Sequence, residues 1–268
     1  MNAQRQLTSS NRALSTTMER LSSGLRVNSA KDDAAGLAIA NRMNSQIRGM
    51  TVATRNANDG VSMAQTAEAA MGVMTETMQR MRDLAVQASN TGAVTSEDKQ
   101  KLQTEFQQLN DELQRVITNT EFNGKKIING SLSGGIDFQI GANTATDNQI
   151  AISVPNLSGT LSEVFKVSIG SNTSTAGGLS AIASLDLAIR NVDQARSKLG
   201  AVQNRFTTTI TNLQSSIENQ AAAKSRILDA DFAAETAALS RSQILQQAGT
   251  AMLSQANQRP QAVLQLLQ

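Results

Sequence analysis

The sequence predicts a mainly α-helical protein: an elongated antiparallel helical bundle or coiled coil with a small β-hairpin region. Two long stretches support this prediction, because each contains no proline and repeats apolar residues at seven-residue steps. Such a repeat places its members on one stripe of a helix, and the stripe must pack against other helices. Between the two stretches lie alternating apolar residues and turn signals that are typical of a hairpin.

The composition excludes most kinds of functional chemistry. The 268 residues include no Cys, His, Trp or Tyr, so most metal sites, thiol chemistry and histidine-based triads are excluded, leaving only carboxylate-based hydrolysis. We therefore expect no enzyme, no metal site and no cofactor. The net charge of +2, without basic clusters among aromatics, argues against nucleic-acid binding. No apolar run is long enough for membrane insertion, and the start lacks a signal-peptide core.

The first 25 residues indicate a polar amphipathic helix whose narrow apolar face is too small to hold a lone helix in water. That face consists of Leu7, Leu14, Met18, Leu21 and Leu25. Gly24 and the Ser, Asn and Asp residues up to position 33 break the periodicity and predict a joint that includes Asn28. Asp32 or Asp33 suits the start of the next helix, where backbone amides are unpaired.

The first long helix is predicted over 35–90. Its seven-residue series is Met43, Met50, Ala57, Ala64, Met71, Met78 and Ala85, with Ile47, Val61, Met74, Met81 and Ala88 in companion positions. A second helix over 96–118 has the apolar face Leu102, Phe106, Leu109, Leu113 and Val116. The short connection between these helices predicts an antiparallel pair.

A β region is predicted over 119–178. Asn123–Gly124 and Asn129–Gly130 are turn signals, and the segments 136–140 and 150–154 carry apolar residues at alternate positions. We expect these two segments to form a hairpin that lies on the helices, with a short strand further on at 165–169.

Helical periodicity returns over 179–226, where apolar residues again recur at seven-residue steps: Leu185, Val192, Leu199, Phe206 and Leu213. This helix is the expected partner of the first long helix. Asp229 and Asp231 mark a second joint, and the segment 227–268 predicts another weak amphipathic helix, bent or interrupted near Pro260.

Several longer motifs resemble those of bacterial flagellins. The run ERLSSGLRVNSAKDDAAG at 19–36 is similar to the family's N-terminal signature. The segments 55–60 (RNANDG), 79–87 (QRMRDLAVQ) and 122–124 (FNG) continue it, and 242–249 (SQILQQAG) and 256–260 (ANQRP) match the other end. Several motifs in the right order are far more specific than one short motif.

The resemblance implies a short flagellin that self-assembles into the extracellular flagellar filament. It implies an inner layer, D0, made of 1–30 and 227–268, and an outer layer, D1, made of 31–226. It also implies type III export, a chaperone on the C-terminal segment, the flagellar cap and junction proteins as partners. Flagellins carry further helical turns before the segment matched by residues 2–5, so the resemblance implies a slightly truncated start.

The resemblance further implies recognition of D1 by the vertebrate Toll-like receptor 5. The matching positions are Arg80, Leu84 and Glu105, flanked by Gln79, Asp83 and Gln87. A forked Arg donor beside an apolar Leu is a common pairing at interface hot spots. The same residues could instead serve packing between subunits in the filament. The joints at Gly24, Asn28, Asp229 and Asp231 connect the two layers and are expected to absorb small shifts between protofilaments.

Two other functions fit parts of the pattern. A hook–filament junction protein shares the terminal motifs, although not usually so complete a match through the long helices. A signalling coiled coil has similar heptads but lacks the β region and the terminal motifs.

Overall fold

The computed structural model describes residues 2–170 and 176–266, with side chains for 4–170 and 177–255. The chain divides into two compact units, one formed by 1–48 with 216–268 and the other by 49–215. The prediction of a mainly α-helical fold is confirmed, with 76% of the residues in helices. Residues 171–175 of the predicted β region and the last two residues of the predicted helix over 227–268 lie outside the described residues.

The first unit contains the two terminal helices and the adjoining ends of the two long ones. Helix α1 spans Asn2–Ser23 and α7 spans Phe232–Leu266, and they run antiparallel. The amide of Gln246 donates to Asn11 Oδ1 at 2.9 Å, and Arg20 pairs with Glu235 at 3.0 Å. Asn11 precedes Arg20 on α1, whereas its partner Gln246 follows Glu235 on α7, so the two helices are antiparallel.

Two helices of more than fifty residues are the longest elements among the described residues. Helix α2 spans Ala34–Ala88, and α6 spans Ala176–Leu228. At 1.5 Å per residue, each is roughly 80 Å long. The predicted bounds were 35–90 and 179–226. Because neither helix contains proline, no backbone amide is lost from its hydrogen-bond ladder.

The seven-residue repeat of α2 forms the core of the second unit. Met71, Met74, Met78 and Met81 are fully buried, and Ala57, Ala64 and Ala85 are buried on either side of them along α2. On α6 the matching members are buried as well: Leu185, Val192, Leu199 and Phe206. Burying each large side chain contributes about 1.5–3 kcal/mol, so this core is the main source of stability in the unit.

Polar contacts show that α2 and α6 are antiparallel within the second unit. Arg82 pairs with Asp186 at 2.7 Å, and Gln203 donates to Glu68 at 2.8 Å. Further along, a Cβ on Gly60 would lie 2.7 Å from the ring of Phe206. As the α2 partner moves towards the N-terminus, the α6 partner moves towards the C-terminus.

Helix α3, Ser96–Asn119, follows α2 after a short connection and begins with a capping box. The Thr95 hydroxyl accepts from the Asp98 amide at 3.2 Å, and the Thr95 amide and hydroxyl both donate to the Asp98 carboxylate. The hydroxyl bond from Thr95 is the main reason that the pKa of Asp98 is lowered. Phe106 and Leu113 bury the inner face of α3 against the core.

Two hairpins and two short helices complete the second unit. Strands β1, Glu121–Phe122, and β2, Lys125–Lys126, pair across the Asn123–Gly124 turn. Strands β3, Ile136–Gln139, and β4, Gln149–Ile152, form the hairpin expected from the alternating pattern, with Ile136 opposite Ile152. Ile150 and Ile152 are buried, so one face of β4 lies on the core. A 3₁₀ turn, Thr146–Asn148, precedes β4.

Two expectations about local structure are wrong. The segment 165–169 is not a strand, because helices α4, Leu157–Thr160, and α5, Ser162–Lys166, occupy this region. Val164 and Leu161 are buried there at helical spacing, which a short apolar run does not distinguish from a strand. Of the bend or interruption expected near Pro260, the interruption is also wrong, since α7 continues as a helix to Leu266.

Two glycines of α2 provide a matched test of the core. We expect Gly60→Ala to lower the free energy of unfolding by about 1–2 kcal/mol, since overpacking against the buried Phe206 ring outweighs the gain in helix propensity. Gly72→Ala meets no atom within 4 Å and should raise stability by up to about 1 kcal/mol. Urea unfolding followed by circular dichroism measures both. Equal effects would contradict the close approach at Gly60.

Candidate functional site

The first joint connects α1 to α2 and is tied to the end of α6. Gly24 ends α1 with φ +72°, and its amide donates to the Arg20 carbonyl at 2.8 Å. Its own carbonyl accepts from the Ala230 amide at 2.9 Å. Leu25 forms an antiparallel bridge with Asp229, and the Arg26 amide donates to Leu228 at 2.6 Å. The two joints predicted from sequence are therefore hydrogen-bonded to each other.

The rest of the first joint is a loop organised by one carboxylate. Oδ2 of Asp32 accepts from the Ser29 amide at 2.8 Å, the Ser29 hydroxyl at 2.9 Å and the Asn28 amide at 3.2 Å. The Asn28 side chain donates to Glu19 at 3.0 Å. These bonds, led by the Ser29 amide, lower the pKa of Asp32. Asp33 is the residue that caps α2, because its carboxylate accepts from the Gly36 amide at 2.8 Å.

The second joint is a three-residue link between α6 and α7. Asp231 Oδ1 accepts from the amides of Ala233 at 2.9 Å and Ala234 at 3.3 Å, so Asp231 caps α7. The carboxylate of Asp229 accepts from the Ser225 hydroxyl at the end of α6. Each aspartate thus fixes the end of one helix.

The contact between α1 and α7 is partly polar. Its most buried side chains are Ser10, Thr17 and Ser242, while Leu7 and Leu14 are only half-buried. Large apolar side chains are instead exposed on both helices: Met18, Phe232, Ile244, Leu245 and Met252. We call these five the terminal apolar residues. Burying them would stabilise a partner contact. Met18 belongs to the apolar face expected for α1, and the structure leaves it exposed.

The residues predicted for receptor binding divide into exposed and buried ones. Gln79, Arg80, Asp83 and Gln87 are exposed on α2, and 79, 83 and 87 follow one another at four-residue spacing along one face. Arg80 donates from Nε and Nη2 to Glu105 Oε1 on α3, at 2.9 and 2.6 Å. The structure thus brings two helices together at this surface.

Leu84 does not lie on that surface. Its side chain is only 1% exposed and belongs to the core beneath α2 and α3. The expectation of an apolar anchor at Leu84 therefore needs correction: in this conformation the residue supports the helices from below. The four-residue step from Arg80 places the two side chains on neighbouring parts of the helix, but only the packing of α3 decides which one is covered.

Two polar links in the second unit have no signal in the sequence. Arg82 binds Asp186 of α6, and this contact raises the pKa of Arg82. Gln103 of α3 accepts at Oε1 from the amides of Ile169 at 2.7 Å and Gly170 at 3.0 Å. No local pattern marks either pair, because the partners are 104 and 66 residues apart in sequence.

These features are those of a helical structural protein. Among residues 2–170 and 176–266, no cluster of Asp, Glu, His or Cys could hold a metal ion, and no helix is long and apolar enough to cross a bilayer. Long packed helices with uncovered apolar side chains on the terminal pair are typical of self-assembling structural proteins. The model of the bacterial flagellin N-terminal helical region matches 1–133, and that of the C-terminal helical region matches 182–267. The chain belongs to the bacterial flagellin family.

Individual relatives agree with this assignment. The flagellin of Bacillus subtilis is 42% identical over 297 aligned positions, which cover 100% of this chain and 97% of the relative. The crystal structure of Bacillus cereus flagellin is similar, with a TM-score of 0.52 and 27% identity over 63% of this chain and 94% of that one. A putative flagellar hook-associated protein from Vibrio parahaemolyticus has a TM-score of 0.62, covering 74% of this chain and 100% of that one, but its 13% identity shows the fold alone.

The function follows from family membership. The chain is a structural subunit of the bacterial flagellar filament, it assembles with copies of itself, and its place is outside the cell. It is not an enzyme.

Asp32 provides a pH-dependent test of the first joint. Its folded pKa is lowered, so its contribution to stability is present above the unfolded pKa of about 3.9 and is lost as pH falls through the lower folded value. We expect Asp32→Asn to speed amide exchange at Ser29 at neutral pH and to remove this acid-side dependence. NMR titration and hydrogen exchange measure both. Asp137→Asn, at an exposed position on β3, is the control and should leave exchange at Ser29 unchanged.

Proposed function

We propose that this filament subunit assembles in two layers. The terminal segments 1–30 and 227–268 form the inner layer, D0, and 31–226 form the outer layer, D1. The observation that carries this proposal is the difference in packing between α1 with α7 and the rest of the chain. The buried side chains of the terminal pair are the small polar Ser10, Thr17 and Ser242, whereas the core around α2 is built from fully buried large apolar side chains. Exposed apolar side chains occur on both parts of the chain, so the difference lies in what is buried.

This difference supports assembly through the terminal helices. An isolated pair of helices with so little buried apolar surface has little to offset the conformational entropy of folding. Leu245 and Met252 lie seven residues apart, so they share one face of α7 and are available to a helix of a neighbouring copy. Head-to-tail contacts that do not close on themselves produce open filaments. The terminal pair is therefore expected to gain most of its order from its neighbours.

The joints are proposed to connect the two layers. Gly24 and Asn28 lie in one joint and Asp229 and Asp231 in the other, and backbone hydrogen bonds hold the joints together. A small positional shift during assembly can be absorbed in these short links, while the capping carboxylates keep the helix ends intact. This arrangement supports a role for the joints as connectors of the layers.

Three flagellar partners are also proposed from the resemblance: the cap, the junction proteins and an export chaperone. For the chaperone the supporting feature is α7, because exposed apolar side chains at helical spacing suit recognition of a helix in a groove. The same side chains would be covered in the filament, so chaperone binding and assembly would compete.

Recognition by Toll-like receptor 5 is proposed for the face formed by Gln79, Arg80, Asp83, Gln87 and Glu105. The exposed side chains on α2 and the Arg80–Glu105 pair across two helices support this proposal. A forked guanidinium held in place by a carboxylate loses little freedom when a receptor binds. Leu84 would contribute by supporting α2 from beneath.

The terminal apolar residues give a direct test of assembly. We expect Leu245→Ser to raise the protein concentration needed for polymerisation by about tenfold, because the lost burial corresponds to at least about 1.4 kcal/mol per contact. Sedimentation and electron microscopy after seeding with filament fragments measure the effect. Gln247→Ser, also at an exposed position on α7, is the matched control. Unchanged polymerisation of Leu245→Ser would count against the inner-layer assignment.

Arg80 gives the test of receptor recognition. We expect Arg80→Ala to weaken binding to the Toll-like receptor 5 ectodomain at least about tenfold, the size of a moderate hot spot. Arg115→Ala removes a similar exposed arginine that pairs with Glu112 on α3, so it controls for loss of charge and of an ion pair. Surface plasmon resonance measures both variants. If Arg80→Ala binds as the unmodified chain does, the receptor assignment is discarded.

A further inference from the structure

The sequence contains two Asn–Gly pairs, at 123–124 and at 129–130, and the structure holds them in different ways. An asparagine before glycine is chemically labile, because no Cβ shields the glycine nitrogen from the asparagine side chain. Attack of the glycine nitrogen on the asparagine side chain still requires that the carboxamide is free and that the backbone can move. The structure therefore separates a reactive pair from a protected one.

Asn123–Gly124 meets both requirements. The two residues form the turn between β1 and β2, with φ +49° and +75°, and both are exposed. Among the described residues, neither the Asn123 carboxamide nor the Gly124 amide takes part in a hydrogen bond. The flanking ladder contains only two residue pairs, and such a short hairpin opens at little cost.

Asn129–Gly130 has neither a free carboxamide nor a backbone that can move. Oδ1 of Asn129 accepts from the Ser131 amide at 3.1 Å and from the Ser131 hydroxyl at 2.7 Å. The backbone of Gly130 is closely packed as well, since a Cβ there would lie 2.4 Å from Cγ of Asn156. Attack on the Asn129 carboxamide would have to break two hydrogen bonds and move a packed backbone.

We propose that Asn123 is a site of spontaneous deamidation. The deprotonated nitrogen of Gly124 attacks Cγ of Asn123, the new carbon–nitrogen bond closes a succinimide, and the side-chain nitrogen leaves as ammonia. One water molecule then opens the ring. Hydrolysis at one carbonyl gives aspartate, and hydrolysis at the other gives isoaspartate. No oxidant, metal ion or enzyme is needed.

Both products change the surface around the turn. Asn123 lines a cleft of about 420 Å³ together with Asp59, Phe122 and Lys125, so the new carboxylate places a second negative charge in that cleft. Isoaspartate also adds one carbon atom to the main chain within a two-residue turn. Because turn length sets strand register, this product is incompatible with the pairing of Phe122 with Lys125.

The experiment compares the two pairs within one sample of the folded, full-length chain. The protein is incubated in mildly alkaline buffer, digested and analysed by liquid chromatography with mass spectrometry. Peptides containing Asn123 should gain the mass difference between an amide and a carboxyl group and separate into aspartate and isoaspartate forms. We expect Asn123 to convert at least about tenfold faster than Asn129, the difference that two hydrogen bonds correspond to.

Two controls decide the interpretation. In urea both pairs should convert at similar rates, because the protection of Asn129 belongs to the folded state. Ser131→Ala, checked for folding by circular dichroism, should speed conversion at Asn129 and leave Asn123 unchanged. The proposal is overturned if Asn129 converts as fast as Asn123 in the folded chain. It is also overturned if folded Asn123 stays an amide for as long as the denatured chain takes to convert.

Discussion

Burial of the seven-residue apolar series of α2 is the interaction on which the rest of the second unit depends. Met71, Met74, Met78 and Met81 form a continuous buried line, and Ala57, Ala64 and Ala85 extend it in both directions along α2. Methionine adapts its shape to irregular gaps, so it can fill the space left by these small residues. Neither two-stranded hairpin would be stable alone, but β4 buries Ile150 and Ile152 on this core.

Burial of apolar side chains also explains why the first unit is packed differently from the second. In α1 and α7 the positions at the mutual contact are occupied by Ser10, Thr17 and Ser242, which bury little apolar area. Stability is therefore uneven along the chain. In the proposed two-layer assembly, this unevenness leaves apolar surface on the terminal helices for neighbouring copies to cover.

Polar contacts set register more than they add stability. The pairs Arg80–Glu105 and Arg82–Asp186 join α2 to α3 and to α6, but their side chains are about half exposed, where ion pairs contribute little. These ion pairs fix the register of the helices, because a shift of one helix by a turn would separate each pair. The joint carboxylates act in the same way. Asp32, Asp33 and Asp231 each accept backbone amides that helix ends or loops leave unpaired.

The sequence by itself determined the helical class, the two long helices, the hairpin at β3 and β4, and the family. These features depend on local periodicity, turn residues and ordered motifs, which are properties of neighbouring residues. Only the tertiary structure decided that Leu84 is buried, that 162–166 is helical, and that Arg82 meets Asp186. It also decided which of two identical Asn–Gly pairs is held by hydrogen bonds. Periodicity shows that a residue lies on an apolar stripe, but the elements that cover it come from distant parts of the chain.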